Sequence, residues 1–150
     1  MNQTERLLQN IIENGRMGAD ACDQLMSKTH DEALRQELMN ERDLYEGSVR
    51  EAEKMLAGMG MQAKPKGMMA RAGMWMGMQM DTIMDKSPSH IADILIRGLT
   101  MGIVEITKAR NSNPDASAEA QGVAAALITS QQEGIDRLKV FLTQYEKAKV

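Results

Sequence analysis

The sequence predicts an all-α fold, an up-down bundle of four long helices with a short extra helix in the long middle connection. Apolar residues recur every three or four positions along four long tracts, which is the helical period. Capping signals precede these tracts, and no tract is a credible strand. The 150 residues, 43% of them hydrophobic, are enough for one domain with a proper core. We therefore expect residues 1–150 to form a single domain.

The first half of the chain predicts a helical hairpin. Helix one is expected over residues 4 to about 28, behind a capping box formed by Asn2 and Glu5. A second capping signature at Thr29 opens helix two almost without a loop. Helix two is expected to end near Leu56, because Gly58 and Gly60 follow it. So short a connection makes the two helices antiparallel neighbours.

A long excursion separates this hairpin from the second half. Residues 59–67 carry glycine, proline and lysine and predict a loop. Residues 68–84 are apolar and rich in methionine, and they predict the short extra helix. The excursion therefore joins two hairpins across the bundle.

The second half predicts another helical hairpin. Helix three is expected over residues 88–110, behind an N-cap at Ser87 and with proline at its first position. The sequence breaks again at residues 111–115, where Asn113 stands before a proline in the same way. Helix four is then expected over about residues 115–148.

Each of the four inward stripes carries glycine or a polar residue near its middle. These residues are Gly15 and Gly18, then Glu41, then Gly98 and Gly102, and finally Gln131 and Gly134. Helical bundles build metal and cofactor sites at this level, from side chains on facing helices. A mid-helix glycine costs ~1 kcal/mol relative to alanine. The glycines therefore indicate either close helix packing or a ligand cavity.

Scattered residues also match a known pattern of helix lengths and positions. They are Arg71, Gly73 and Trp75 before helix three, Arg97 and Gly98 within it, and Asp136, Arg137 and Leu138 in helix four. With these residues the chain resembles an uncharacterised bacterial family of ferritin-like four-helix-bundle proteins. The resemblance implies a ferritin-like fold, in which two hairpins are joined by a long crossing segment.

The resemblance also allows the family's di-metal ligand positions to be compared with this chain. Such a site takes a glutamate from each of two helices and a Glu-x-x-His motif from each of the other two. The helix-one glutamate falls at Gly18, and Glu41 is kept in helix two, but Leu44 stands where histidine is needed. The other positions fall near Leu99 and at Ile135. We therefore expect no di-metal oxidase chemistry and no cofactor.

Two carboxylates are the candidate metal ligands that remain. Glu41 lies on an apolar stripe, so it is a remnant ligand or base with a raised pKa, or a core-edge carboxylate bonded to Tyr45, Gln131 or an arginine. Glu105 could face Glu41 across the bundle, or it could lie on the solvent side of helix three. The second interpretation is favoured for each residue.

The methionine-rich segment is the candidate interaction surface. Its residues are Met68, Met69, Met74, Trp75, Met76, Met78, Met80 and Met84. Flexible methionines fill cores and interfaces, and tryptophan and methionine are enriched at interface cores. Thioethers also bind Cu(I), and a membrane-surface or peptide groove is a third interpretation. We favour a core or interface role and expect a homo-oligomer, most simply a dimer.

Charge and cysteine content restrict the partners and the compartment. The net charge of −3 and the pI near 5.4 argue against nucleic acid. Cys22 is the only cysteine, so no internal disulfide forms. With no secretory signal pattern and no run of about 18 apolar residues, we expect a cytoplasmic protein without a transmembrane helix.

Two classes of function follow from the sequence. The first is a non-enzymatic bundle that acts by oligomerising or by binding a protein partner. The second is a binding protein for a metal or for a small apolar ligand held in the core. The metal would be iron or manganese at a remnant site, or Cu(I) on the methionine-rich segment.

Overall fold

A computed structural model describes residues 2–65 and 83–143 of the chain. Over these residues the fold is all-helical and contains no strand, as predicted. The elements are α1 (Gln3–Met26), α2 (Glu32–Gly58), α3 (Pro88–Ser112), α4 (Ala118–Leu138) and a short 3-10 helix (Lys139–Phe141).

The four α-helices pack as a bundle of two hairpins. α1 lies along α2, and α3 lies along α4. The Nε atom of Arg6, near the start of α1, donates to Asn113 Oδ1 at the end of α3 over 3.0 Å, so these two helices are antiparallel. Since α2 is antiparallel to α1, α2 and α3 run in the same direction. The end of α2 and the start of α3 therefore lie at opposite ends of the bundle.

The core is built from aliphatic side chains, as the low aromatic content of 3% requires. Leucine and isoleucine supply the largest fully buried residues, which are Leu7, Leu8, Ile11, Ile12, Leu25, Leu34, Leu38, Leu56, Ile91, Ile94, Leu95 and Leu99. Burial of this apolar surface is the main force that holds the helices together.

Two of the helix starts form as the sequence predicts. Asn2 Oδ1 accepts the Glu5 N–H over 2.7 Å at the start of α1. Ser87 Oγ accepts the His90 N–H over 3.3 Å at the start of α3. Each side chain satisfies an N–H group that has no partner within its helix.

The other two helix starts differ from the prediction. The N-cap of α2 is Asp31, whose Oδ1 accepts the N–H of Leu34 over 2.8 Å, while Thr29 Oγ1 accepts the N–H of Asp31. The N-cap of α4 is Ser117 rather than Asn113. The Asn113 side chain is buried and donates back to Ala109 O, so it closes α3 instead of opening α4.

The end of α2 is confirmed and the end of α4 is not. α2 ends at Gly58, and Gly60 takes a φ of 74°, which only glycine adopts without strain. α4 ends at Leu138, well before the predicted residue 148. The 3-10 helix follows directly, and after it Thr143 pairs with Ser89 of α3, its N–H donating to Ser89 Oγ over 3.1 Å.

The predicted short helix over residues 68–84 lies almost wholly outside the described residues. Its last two residues, Ile83 and Met84, are described and are not helical. Ile83 is half-buried against the core, whereas Met84 is 94% exposed. Within the described ranges, no helix is long and apolar enough to cross a membrane.

Candidate functional site

A layer of buried polar groups crosses the middle of the bundle, with one residue from each helix. These are Asn14 of α1, Tyr45 of α2, Gly102 of α3 and Gln131 of α4, which we call the central polar layer. The three side chains are at most 7% exposed. Groups buried this deeply must find hydrogen-bond partners inside the protein.

A chain of hydrogen bonds connects all four members of the layer. Asn14 Nδ2 donates to the backbone oxygen of Gly102 over 3.1 Å. Gln131 Nε2 donates to Asn14 Oδ1 over 3.0 Å and to Tyr45 Oη over 3.3 Å. The layer therefore connects the two hairpins and orients each polar side chain.

The mid-bundle glycines make room for these polar and aromatic side chains. A Cβ atom at Gly18 would overlap the ring of Tyr45, and one at Gly102 would overlap Gln131 Nε2. At Gly134 it would overlap the carboxylate of Glu41. The glycines thus permit close approach of neighbouring side chains, which was one of the two interpretations of the sequence.

Glu41 lies one helical turn from Tyr45 and is paired with Arg137 of α4. Arg137 Nη2 donates to Glu41 Oε2 over 2.7 Å, and Arg137 Nε donates to Glu37 Oε2 over 2.9 Å. The side chain of Glu41 is 2% exposed and that of Glu37 is 12% exposed. We call these residues the Glu37–Glu41–Arg137 cluster. Glu41 is thus a carboxylate bonded to an arginine, which was one of the interpretations of the sequence.

The cluster holds two carboxylates against one guanidinium, and this affects the protonation of Glu41. Burial, and secondly the hydrogen bond with Glu37, raise the pKa of Glu41 from 4.5 to about 7, against the opposing effect of Arg137. A charged Glu41 would add a second negative charge beside Glu37 in a buried place that holds one cation. Glu41 therefore exchanges a proton near neutral pH.

Glu105 is not brought to Glu41 and is solvent-facing. Its side chain is 52% exposed and lies 3.9 Å from the Nζ atom of Lys108 on the same helix. The carboxylate pair considered for these two residues is therefore absent. Within residues 2–65 and 83–143, no cluster of three or more histidine, cysteine or acidic side chains is placed to hold a metal ion.

The remaining candidates from the sequence are Cys22 and the methionine-rich segment. Cys22 is fully buried, and burial together with Glu41 raises the pKa of its thiol, so it is not activated as a nucleophile. Met84 is the one methionine of the interaction segment that is described. The others, from Met68 to Met80, and Trp75 lie outside the described residues.

Sequence reasoning missed Asn14 and Glu37. Asn14 stands three residues after Ile11 and seven after Leu7, both fully buried, so helical spacing places it on the inward stripe. Glu37 stands one turn before Glu41 and therefore shares its face. Glu37 was missed because it belongs to a run of charged residues along α2, most of which are exposed.

Comparison with known proteins yields a fold and no family. No protein-family model matches the sequence, and no curated protein matches it. Among solved structures, the crystal structure of a DUF305 fragment from Deinococcus radiodurans is similar, with a TM-score of 0.70 and 16% sequence identity. The match covers 93% of this chain and 94% of that one. At this identity the likeness shows a shared helical fold alone.

Substitution of Gly18 tests whether the glycines make room for buried side chains. We expect Gly18→Ala to lower the free energy of unfolding by about 1–3 kcal/mol, because the new methyl group overlaps the buried ring of Tyr45. Gly122→Ala is the matched control, since nothing lies near a Cβ there. It should stabilise by up to ~1 kcal/mol. Urea unfolding measures both, and equal effects would contradict the packing argument.

Proton binding by Glu41 predicts a pH dependence of stability. Because its pKa rises on folding, the folded chain binds more protons between about pH 4.5 and pH 7. The contribution of Glu41 to the free energy of unfolding is thus present at low pH and lost as pH rises through 7. We expect Glu41→Gln, which cannot lose a proton, to abolish this part of the decline.

The measurement is urea unfolding of wild type and variant from pH 4.5 to pH 8. Glu133→Gln is the control, because the side chain of Glu133 is exposed and comes no closer than 4.0 Å to Arg137. A stability difference between wild type and Glu41→Gln that stays constant over this range would show that Glu41 does not bind a proton there.

Proposed function

We propose that the protein is a non-enzymatic, ferritin-like helical bundle of the bacterial cytoplasm that acts by self-association and by binding a protein partner. The central polar layer is the observation that carries this proposal. Its side chains fill the level at which bundles hold cofactors, and they bond to one another. The proposal therefore places the function on the outer surface.

The order and direction of the helices support the ferritin-like part of the proposal. α2 and α3 run in the same direction, so the end of α2 and the start of α3 lie at opposite ends of the bundle. A single long crossover between two antiparallel hairpins is the ferritin-like connectivity. The structural similarity to the DUF305 fragment concerns the fold and leaves this finer assignment as a proposal.

The Glu37–Glu41–Arg137 cluster argues against metal chemistry as the function. The guanidinium of Arg137 lies within hydrogen-bonding distance of both carboxylates, where it occupies the position that a bound cation would take. A metal ion at Glu41 would have to displace this group. We therefore expect the purified protein to lack stoichiometric iron or manganese. About two metal ions per chain by elemental analysis would favour the alternative function, a metal-binding protein.

Self-association is proposed through the methionine-rich segment. Met84 supports this proposal, because its apolar side chain is 94% exposed. Single exposed apolar residues are common, but here the exposed residue continues a long run of methionines in the sequence. A contact between two copies of the chain would cover this surface.

We expect wild type to form a dimer in light scattering and Met84→Glu to shift it towards monomer, because the carboxylate would be desolvated in the contact. Val140→Glu is the control, since Val140 is 77% exposed and lies outside the segment. Circular dichroism checks that both variants remain folded. A wild-type chain that is monomeric at high concentration refutes the proposal of self-association.

A further inference from the structure

The side-chain oxygen of Gln131, in the central polar layer, is buried without a hydrogen-bond partner among the described residues. Gln131 is 1% exposed, and its Oε1 atom has no hydrogen-bond partner among the residues that the structure describes. Unpaired buried acceptors are uncommon in native proteins and point to an unassigned donor. This atom therefore marks a place where a donor belongs.

The hydrogen bonds of the layer fix the orientation of the Gln131 amide. The backbone oxygen of Gly102 can only accept, so Asn14 must direct its Nδ2 towards it. Asn14 Oδ1 then faces Gln131 and needs a donor, which only Nε2 of Gln131 supplies. Rotating the Gln131 amide by half a turn would place two acceptor oxygens together. Oε1 would then lie beside the Tyr45 hydroxyl, but also against Asn14 Oδ1, so the orientation with Nε2 towards Asn14 is favoured.

The hydroxyl group of Tyr45, next to Gln131, has a proton without an acceptor among the described residues. Its Oη accepts the second proton of Gln131 Nε2 over 3.3 Å. Within the described ranges, no hydrogen bond uses the hydroxyl proton of Tyr45, although the ring is only 5% exposed. The Tyr45 hydroxyl, an unused donor, thus lies next to the amide group whose oxygen is the unused acceptor.

We propose that the central polar layer binds one water molecule between Tyr45 Oη and Gln131 Oε1. The water accepts the Tyr45 hydroxyl proton and donates to Oε1, so it satisfies both groups at once. Buried waters characteristically make two to four such bonds to otherwise unpaired groups. Apolar ligands are excluded from this site, because they would leave both polar groups unpaired. The site connects α2 to α4 in addition to the direct bond.

Crystal structures of the full chain, wild type and Tyr45→Phe, test this proposal. In wild type we expect a density peak at hydrogen-bonding distance from both Gln131 Oε1 and Tyr45 Oη. In Tyr45→Phe we expect this peak to be lost or much weakened, because the water keeps only one of its partners. The variant removes one oxygen atom and leaves the aromatic ring in place.

Two results would overturn the proposal. One is a wild-type structure without density between the two atoms. The other is a Gln131 amide turned so that Oε1 accepts the Tyr45 hydroxyl directly. A wild-type structure at atomic resolution or by neutron diffraction, which distinguishes the amide oxygen from the nitrogen, decides between these outcomes by itself, so the proposal stays testable if Tyr45→Phe fails to fold.

Discussion

Polar groups buried at the centre of the bundle must satisfy one another, and the arrangement of the helices depends on this constraint. Glu41 and Tyr45 lie one turn apart on α2, and Gln131 and Arg137 lie about two turns apart on α4. The central polar layer and the Glu37–Glu41–Arg137 cluster therefore form adjacent levels. Shifting one helix along its axis would break several of these bonds together. Such networks favour one register over others that apolar contacts alone would allow.

The mid-bundle glycines leave the space that the buried polar and aromatic side chains occupy. Leucine and isoleucine fill the core elsewhere, and there a slightly different register could still bury apolar surface. At the centre, Gly18 admits the ring of Tyr45 and Gly134 admits the carboxylate of Glu41. Among the described residues this space is filled by the chain's own side chains, which supply a buried carboxylate and a network of hydrogen-bonded amides.

The sequence predicted those features of the fold that depend on local patterns. The four helices follow from apolar periodicity, and the caps at Asn2 and Ser87 follow from short-range hydrogen bonds. The buried position of Glu41 also followed from periodicity. Features that depend on tertiary contacts could not be predicted. The end of α4 at Leu138 and the pairing of Thr143 with Ser89, far apart in the sequence, were not predicted, and the sequence could not show which of several arginines pairs with Glu41.

A double-mutant cycle between Glu41 and Arg137 at pH 8 tests the account most directly. Arg137→Met should lower the free energy of unfolding by about 3 kcal/mol, the lower end for breaking a buried pair, because Arg137 is itself 39% exposed. Adding Glu41→Met should restore part of this loss, since only Glu37, the more exposed of the two carboxylates, then lacks a cation. Strictly additive effects of the two substitutions, or a loss below about 1 kcal/mol for Arg137→Met, would contradict the claim that paired polar groups hold the centre together.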